Sequence, residues 1–499
     1  MIDSVINRVV VGPPPPGHRI TFARLGGADS LEPTELHASA GRLAAALRAL
    51  GIGPGDRIGI LAANCLEWVL LDLAALRLKA VTAGLEPGKF EPTPELITRY
   101  ELTILFTDRP FAHSRVRPIG DVRRLLDEPV GSVVEPAHYT SQDITTIKFT
   151  SGSSGEPKGL AATVGSIDSS ITAVQTMFDH GGDDNLFVFL PLSLLQQRYW
   201  VYSALCFGHD LTISTYQAAF PLVRTVRPTV VMGVPAFYEA AMRHLQADDR
   251  ADAPQQLFGD RVRYLWTGSA PARPEMLRFF EDLGLPIYEG YGLNETCIVA
   301  KNGPGAHRTG SVGRVLAGKS VIFDEHGVVS VRCEHPVNDH YEYAPPGASE
   351  RVFVGEGVVR TGDIGYLDED GFLYIRGRAD DTIVLDNGKK IIVRPIEERL
   401  RDSPAIAECV LYCIAQTHLV AVVSPTAGPP DEAAITAHLA AVNEGLAPDE
   451  RIRDVVIASP AFSVANGMLS EQFKPRRNEI LDAYRERIEE VTCLLPSTP

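Results

Sequence analysis

The sequence predicts an α/β fold: a large, multilobed α/β domain over residues 1–379, ending in a β-rich lobe, then a small α+β domain over residues 380–499. Three observations lead there. At 499 residues the chain is longer than one hydrophobic core usually serves. Up to about residue 320, short apolar runs alternate with helical patterns, the signature of layered α/β packing. After Gly318 the texture changes to short strands broken by Gly and Asp.

The elements follow in order. LHASAGRLAAALRAL (36–50) has apolar positions at helical spacing, DRIGILAA (56–63) is a short buried strand, and LEWVLLDLAALRL (66–78) is helical again. LFVFLPLS, LTISTY, PTVVMGVPAFYEAAMRHL and VRYLWTGSAPARPEMLRFFEDLG each read as an apolar strand running into a turn and usually a helix. In SVIFDEHGVVSVRC and GYLDEDGFLYIRG, the DEHG and DEDG tetrads read as hairpin turns. Beyond GRADD (377–381), IIVRPIEERLRDSP is strand then helix, and ECVLYCIAQTHLVAVVSP is a pair of strands. DEAAITAHLAAVNEGL is a helix, and a last helix follows Phe473.

Composition narrows the function classes. A formal net charge of −16 makes nucleic acid an unsuitable partner for the protein as a whole, so any anionic ligand needs a local site. No run of about twenty apolar residues is present to span a membrane. No secretory pattern opens the sequence, so a cytoplasmic location is expected. Seven scattered cysteines without a CxxC pair suit reduced thiols better than disulfides or structural zinc; Cys409 and Cys413 read as packing residues.

The most specific stretch is TTIKFTSGSSGEPKGL (145–160), an apolar strand ending in a loop of Ser, Thr and Gly closed by Lys158. Gly152, Gly155 and Gly159 let backbone N–H groups approach an anion, while Thr150, Ser151, Ser153, Ser154 and Lys158 add donors and charge. The spacing is not that of a Walker loop, since no Gly-Lys-Ser/Thr follows four residues after a glycine.

That loop resembles the phosphate loop of the adenylate-forming superfamily, which includes acyl-CoA synthetases, peptide-synthetase adenylation domains and luciferases. The resemblance continues in family order through GSAP (268–271), YEGYGLNET (288–296), RTGD (360–363), IRGRADD (375–381) and NGMLSEQFKPRR (466–477). It covers essentially the whole chain, and its wording is nearest the fatty acyl-CoA ligase branch.

The resemblance implies roles for individual residues. Tyr291 stacks on adenine, beside Gly292, and Gly268, Ser269, Ala270 and Pro271 line the purine edge. Thr296 touches the α-phosphate and Glu295 holds Mg2+. Asp363 accepts both ribose hydroxyls with Arg378 beside it, and Lys474 contacts substrate and phosphate oxygens during adenylate formation. Asp380 is the hinge about which a mobile small domain turns between two half-reactions.

The expected activity is adenylation of a small-molecule acid by ATP with Mg2+, then transfer to the thiol of coenzyme A. The alternatives keep adenylation but change the acceptor, to an acyl carrier protein or an amine, or the acid, to one such as nitrite. A non-catalytic nucleotide-binding protein is disfavoured by the presence of Lys474, Asp363, Glu295 and Lys158. Three departures stand out. Leu194 and Gln196 occupy the usual histidine neighbourhood, Val164 and Gly165 follow the phosphate loop where Thr-His is usual, and LDNGKKI replaces the glycine-rich loop after the hinge. Gln196, Gln197 and Arg198 suggest a pocket for a compact or polar acid.

Overall fold

The computed structural model describes residues 4–128, 134–150, 157–248, 250–386, 389–414, 418–426, 428–470 and 473–493. The chain divides into two compact units. One holds residues 1–322, 330–361 and 369–373; the other holds 323–329, 362–368 and 374–499.

The first unit contains two mainly parallel sheets. In the six-stranded sheet, Arg57–Leu61 lies between Val81–Leu85 and Ile104–Thr107, and Val81–Leu85 pairs in parallel with Ile144–Thr150. Lys158–Thr163 closes one edge antiparallel to Ile144–Thr150. In the nine-stranded sheet, Asn185–Val188, Val230–Met232, Tyr264–Thr267 and Ile287–Leu293 run parallel side by side. Cys297–Lys301 then turns back antiparallel on the last of these.

These parallel strands are buried on both faces, which is why they read as continuous apolar runs rather than alternations. The helix Leu66–Leu78 matches its apolar segment, and its residues Trp68 to Ala75 are all buried because helices pack on it as well as the sheet. Helices Pro235–Gln246 and Pro274–Asp282 each begin with Pro, whose fixed φ suits the first helical turn. The DEHG turn forms as expected: the Gly327 N–H donates to the Asp324 carbonyl at 2.9 Å, and Asp324 Oδ1 accepts from the His326 and Val328 N–H groups.

In the second unit, Ile406–Tyr412 pairs antiparallel with Leu419–Pro425, which runs parallel to Ile452–Ile457. One face buries Cys409, Leu411, Leu419, Ala421 and Val423 with helices Arg394–Leu400 and Glu432–Glu444; the other buries Val410, Val420 and Val422 with helix Arg477–Cys493. Cys409 is a packing residue whose thiol is pushed up by burial. The described cysteines form no disulfide. Among the described residues no helix is long and apolar enough to cross a membrane.

Candidate active site

The phosphate-loop segment forms a hairpin. Thr150 at the end of one strand stands opposite Lys158 at the start of the next, its antiparallel neighbour at the edge of the sheet. Ser151, Gly152, Ser153, Ser154 and Gly155 lie outside the described residues. Thr150 and Lys158 are both half-buried, and the Lys158 ammonium lies 5.1 Å from the centre of the Tyr341 ring.

A second hairpin carries Tyr291, Gly292, Glu295 and Thr296. Its strands are Ile287–Leu293 and Cys297–Lys301, with a register shift between Tyr291 and Gly292. The approach is so close that only glycine fits at 292, where a Cβ would lie 2.0 Å from the Cys297 carbonyl oxygen. Within the turn, Thr296 Oγ1 accepts the Leu293 N–H and donates to the Cys297 carbonyl, both at 3.1 Å. Cys297 itself has a left-handed backbone, φ 55°.

Glu295 is buried, and its Oε1 accepts the Tyr341 hydroxyl at 2.6 Å. Among the described residues no three His, Cys, Asp or Glu side chains gather into a metal-ligating group. The single buried carboxylate of Glu295 suits a cation that takes its remaining ligands from phosphate and water, as Mg2+ prefers. Thr296 is also buried, with its hydroxyl hydrogen committed to the Cys297 carbonyl.

One cavity opens at the carboxyl ends of the parallel strands, where open α/β sheets bind ligands. Its wall includes Gly268, Ser269, Tyr291 and Gly292, and continues to Leu190, Gln196, Gln197, Trp200, Met232 and Trp266. The Gly268–Pro271 turn follows the strand Tyr264–Thr267, and the Ala272 N–H donates to Glu289 Oε1 at 3.0 Å to fix its exit. Ala270 and Pro271 continue this turn but do not line the cavity.

Arg198 corrects the pocket expectation. Gln196 and Gln197 face the cavity, but Arg198 is 1% exposed, and its Nη1 binds Asp72 Oδ1 at 3.0 Å, with Thr146 and Thr82 at 3.0 and 3.2 Å. The reason is helical: successive residues on Leu195–Phe207 point about 100° apart, so three in a row do not share one face. Val164, one of the departures from the family pattern, is core, and Gly165 is buried in the same first helical turn.

Two functional candidates escaped sequence reading. Tyr341 lies in an irregular stretch with no motif to mark it. Lys301 ends the apolar run CIVAK and reads as a surface lysine, yet it is 1% exposed. Its ammonium donates to the Tyr288 and Thr267 carbonyls at 2.6 and 3.2 Å and sits 3.5 Å from the Trp266 ring centre. Burial pulls Lys301 well below the ordinary lysine range, opposed by Glu289. Two carbonyls and a π face use all three N–H bonds of the protonated group, which favours the charged form.

The second unit holds the other motif residues. Arg378 Nε lies 3.0 Å from Asp380 Oδ1, and its Nη1 lies 3.4 Å from Asp363 Oδ1. Burial opposes the Arg378 charge, but Asp380, Asp363 and Asp381 outweigh it and hold the guanidinium above its usual value. Lys474 is exposed, in a turn where its N–H donates to Ser470 Oγ at 3.1 Å and its carbonyl accepts the Ser470 N–H at 2.8 Å. The turn leads into the helix Arg477–Cys493, anchored by Arg477 against Glu397 at 2.6 Å.

Comparison with known proteins identifies the family. Residues 16–335 match the family described as AMP-binding enzyme, and residues 380–492 match the AMP-binding enzyme C-terminal domain. The long-chain-fatty-acid–CoA ligase FadD15 of Mycobacterium bovis is 27% identical over 89% of this chain and 89% of its own. The 2-succinylbenzoate–CoA ligase of Bacillus subtilis is 26% identical over 75% of this chain and 78% of its own. Among solved structures, o-succinylbenzoate coenzyme A synthetase from Bacillus subtilis in complex with AMP superposes with a TM-score of 0.79 at 21% identity, covering 95% of this chain and 98% of that one. ATP-bound MatB from Rhodopseudomonas palustris gives 0.80 at 22% identity, covering 98% and 100%. These superpositions bear on the fold.

Proposed function

The chain belongs to the AMP-binding enzyme family, and from that premise we propose that it adenylates a compact carboxylic acid with ATP, releases pyrophosphate, and transfers the acyl group to the thiol of coenzyme A. One observation carries this reading. Gly268, Ser269, Tyr291 and Gly292 share a single cavity wall, and the turn leaving that wall presents Glu295, which Tyr341 joins to Lys158.

In the first half-reaction a substrate carboxylate oxygen attacks the α-phosphorus of ATP. The new O–P bond forms as the bond to the bridging oxygen breaks, and pyrophosphate takes that electron pair. Tyr291 packs on the purine beside the Gly268–Pro271 turn. Thr150, Lys158 and the loop Ser151–Gly155 hold the phosphates, and Asp363, oriented by Arg378, accepts the ribose hydroxyls. Bound Mg2+ would neutralise phosphate charge, and Glu295 would hold it through the oxygen not given to Tyr341. For Thr296 to donate to an α-phosphate oxygen, its hydroxyl hydrogen must swing away from the Cys297 carbonyl. Lys474 supplies a further cation to the reacting oxygens.

In the second half-reaction a thiolate attacks the acyl carbonyl and AMP leaves. Asp380 is proposed as the hinge between the two half-reactions. Coenzyme A as the thiol is supported by the relatives named as CoA ligases. The phosphopantetheine thiol of an acyl carrier protein would react by the same chemistry.

The test is isotopic exchange between ATP and pyrophosphate with fatty, aryl, amino and small inorganic acids, followed by addition of coenzyme A to each positive. Exchange with acyl-CoA formation supports the full reaction. Exchange without consumption of coenzyme A retains adenylation and assigns the second step to another acceptor. No exchange with any acid removes the adenylation reading.

A further inference from the structure

Two residues of the cavity wall each carry a buried polar atom without a partner among the described residues. Gln197 Oε1 and Thr267 Oγ1 are buried without a hydrogen bond, and both residues line the cavity. A buried polar atom left unmade costs about 1–3 kcal/mol, so a wall carrying two of them is built to receive the missing partners from a ligand.

Two tryptophans stand in the same wall, beside the aliphatic side chains of Leu190, Met232 and Ile298. Trp200 and Trp266 meet edge to face, their centres 5.2 Å apart and their planes at 77°. Trp266 is held by Lys301, whose ammonium lies over the ring while bonded to the Thr267 and Tyr288 carbonyls. Lys301 comes this close because residue 290 is glycine; a Cβ there would stand 2.7 Å from Lys301 Cδ. A cation on one face polarises the indole, which makes the ring a better neighbour for an electron-rich aromatic surface than for a saturated chain. A long aliphatic tail would also leave Gln197 and Thr267 unpaired in a desolvated site.

We propose that the acid is a compact aromatic carboxylic acid bearing a hydrogen-bond-donating ring substituent, hydroxyl or amino, with its ring against Trp266 and its donor on Gln197 Oε1. The Thr267 hydroxyl, which can donate or accept, completes the polar contacts. This specificity rests on the adenylation reading above.

The test compares kcat/KM for ATP–pyrophosphate exchange with benzoate, the hydroxybenzoates, the aminobenzoates and octanoate, in the native protein and in Gln197→Leu and Lys301→Met. At least one hydroxy- or amino-substituted acid should exceed both benzoate and octanoate by about ten-fold or more. In Gln197→Leu the ratio of that acid to benzoate should fall towards one, mainly through KM; in Lys301→Met the ratio of benzoate to octanoate should fall. Octanoate matching or exceeding the aromatic acids overturns the proposal, as does an unchanged substituent ratio in a folded Gln197→Leu protein. The native ranking alone decides the matter if a variant does not fold. Exchange with octanoate only leaves adenylation standing and removes this specificity, whereas no exchange with any acid removes both.

Discussion

The Tyr341 hydroxyl donates to Glu295 Oε1 across 2.6 Å, joining residues 46 positions apart in the sequence. A carboxylate fixed at one oxygen presents the other in a set direction, and the same tyrosine ring carries the Lys158 ammonium. Tyr341→Phe should therefore weaken the apparent Mg2+ affinity about ten-fold and slow exchange, while the protein stays folded. A Mg2+ titration of the exchange rate at saturating ATP reads this directly. A curve identical to that of the native protein would detach Tyr341 from the site.

Lys474 should matter to the reaction and little to nucleotide affinity. Lys474→Ala removes an exposed side chain, so the fold should tolerate it. Loss of one preorganised charge at the reacting oxygens should slow adenylate formation by about 10²–10³-fold. Calorimetric ATP binding should change only a few-fold. Unaltered exchange would take Lys474 out of the mechanism.

Arg198 should be a stability residue rather than a specificity residue. It is buried against Asp72, whose second oxygen accepts the Tyr202 hydroxyl at 2.5 Å. Arg198→Met strands a buried carboxylate and should cost about 3–5 kcal/mol in urea unfolding, and combining it with Asp72→Asn should recover much of that loss. Preserved stability with altered substrate ranking would instead return Arg198 to the pocket.

What the sequence made legible and what it hid separate by contact range. The strand ends Thr150 and Lys158, the turn Gly268–Pro271 and the segment Tyr291–Thr296 were readable as local elements because each belongs to one continuous stretch with a motif spacing. Arg198 was misplaced because its partner lies 126 positions away, and Tyr341 was missed because its partner lies 46 positions away. Lys301 was missed for another reason. A lysine after an apolar strand ordinarily reaches water, and only the missing side chain at Gly290 and the Trp266 face let this one turn inward. Local pattern specifies elements and loops, but it carries no record of which buried charge meets which.

Acid should loosen the first unit before carboxylates titrate. His209 is fully buried, between Ser203 Oγ at 3.0 Å and the Asp210 carbonyl at 2.9 Å, and burial pushes its imidazole down to about 4. His180 is pushed down to about 3, first by burial and next by His209. Both lie below the unfolded value of 6.5, so the unfolded chain binds more protons between these limits. Their stabilising contribution is complete above pH 6.5 and shrinks as pH falls towards 4. Urea midpoints should decline across that window in the native protein and decline less in His209→Gln. A midpoint that is flat from 6.5 down to 4 contradicts this account.

Gly292 should be the least replaceable residue of the second hairpin. A Cβ there would lie 2.0 Å from the Cys297 oxygen, 2.8 Å from its carbonyl carbon and 3.0 Å from Ile298 Cα. All three are backbone atoms, so no side chain can swing aside, and the strand Cys297–Lys301 must move. That shift would carry Glu295 and Thr296 with it, because they form the turn between the two strands. Gly292→Ala should therefore destabilise by about 1–3 kcal/mol or more and also remove most exchange activity. Gly305→Ala is the control: nothing lies within 4 Å of its Cβ, so it should stay within about 0.5 kcal/mol of the native protein. If Gly292→Ala keeps both native stability and native exchange, the close approach of the two strands is not what positions Glu295.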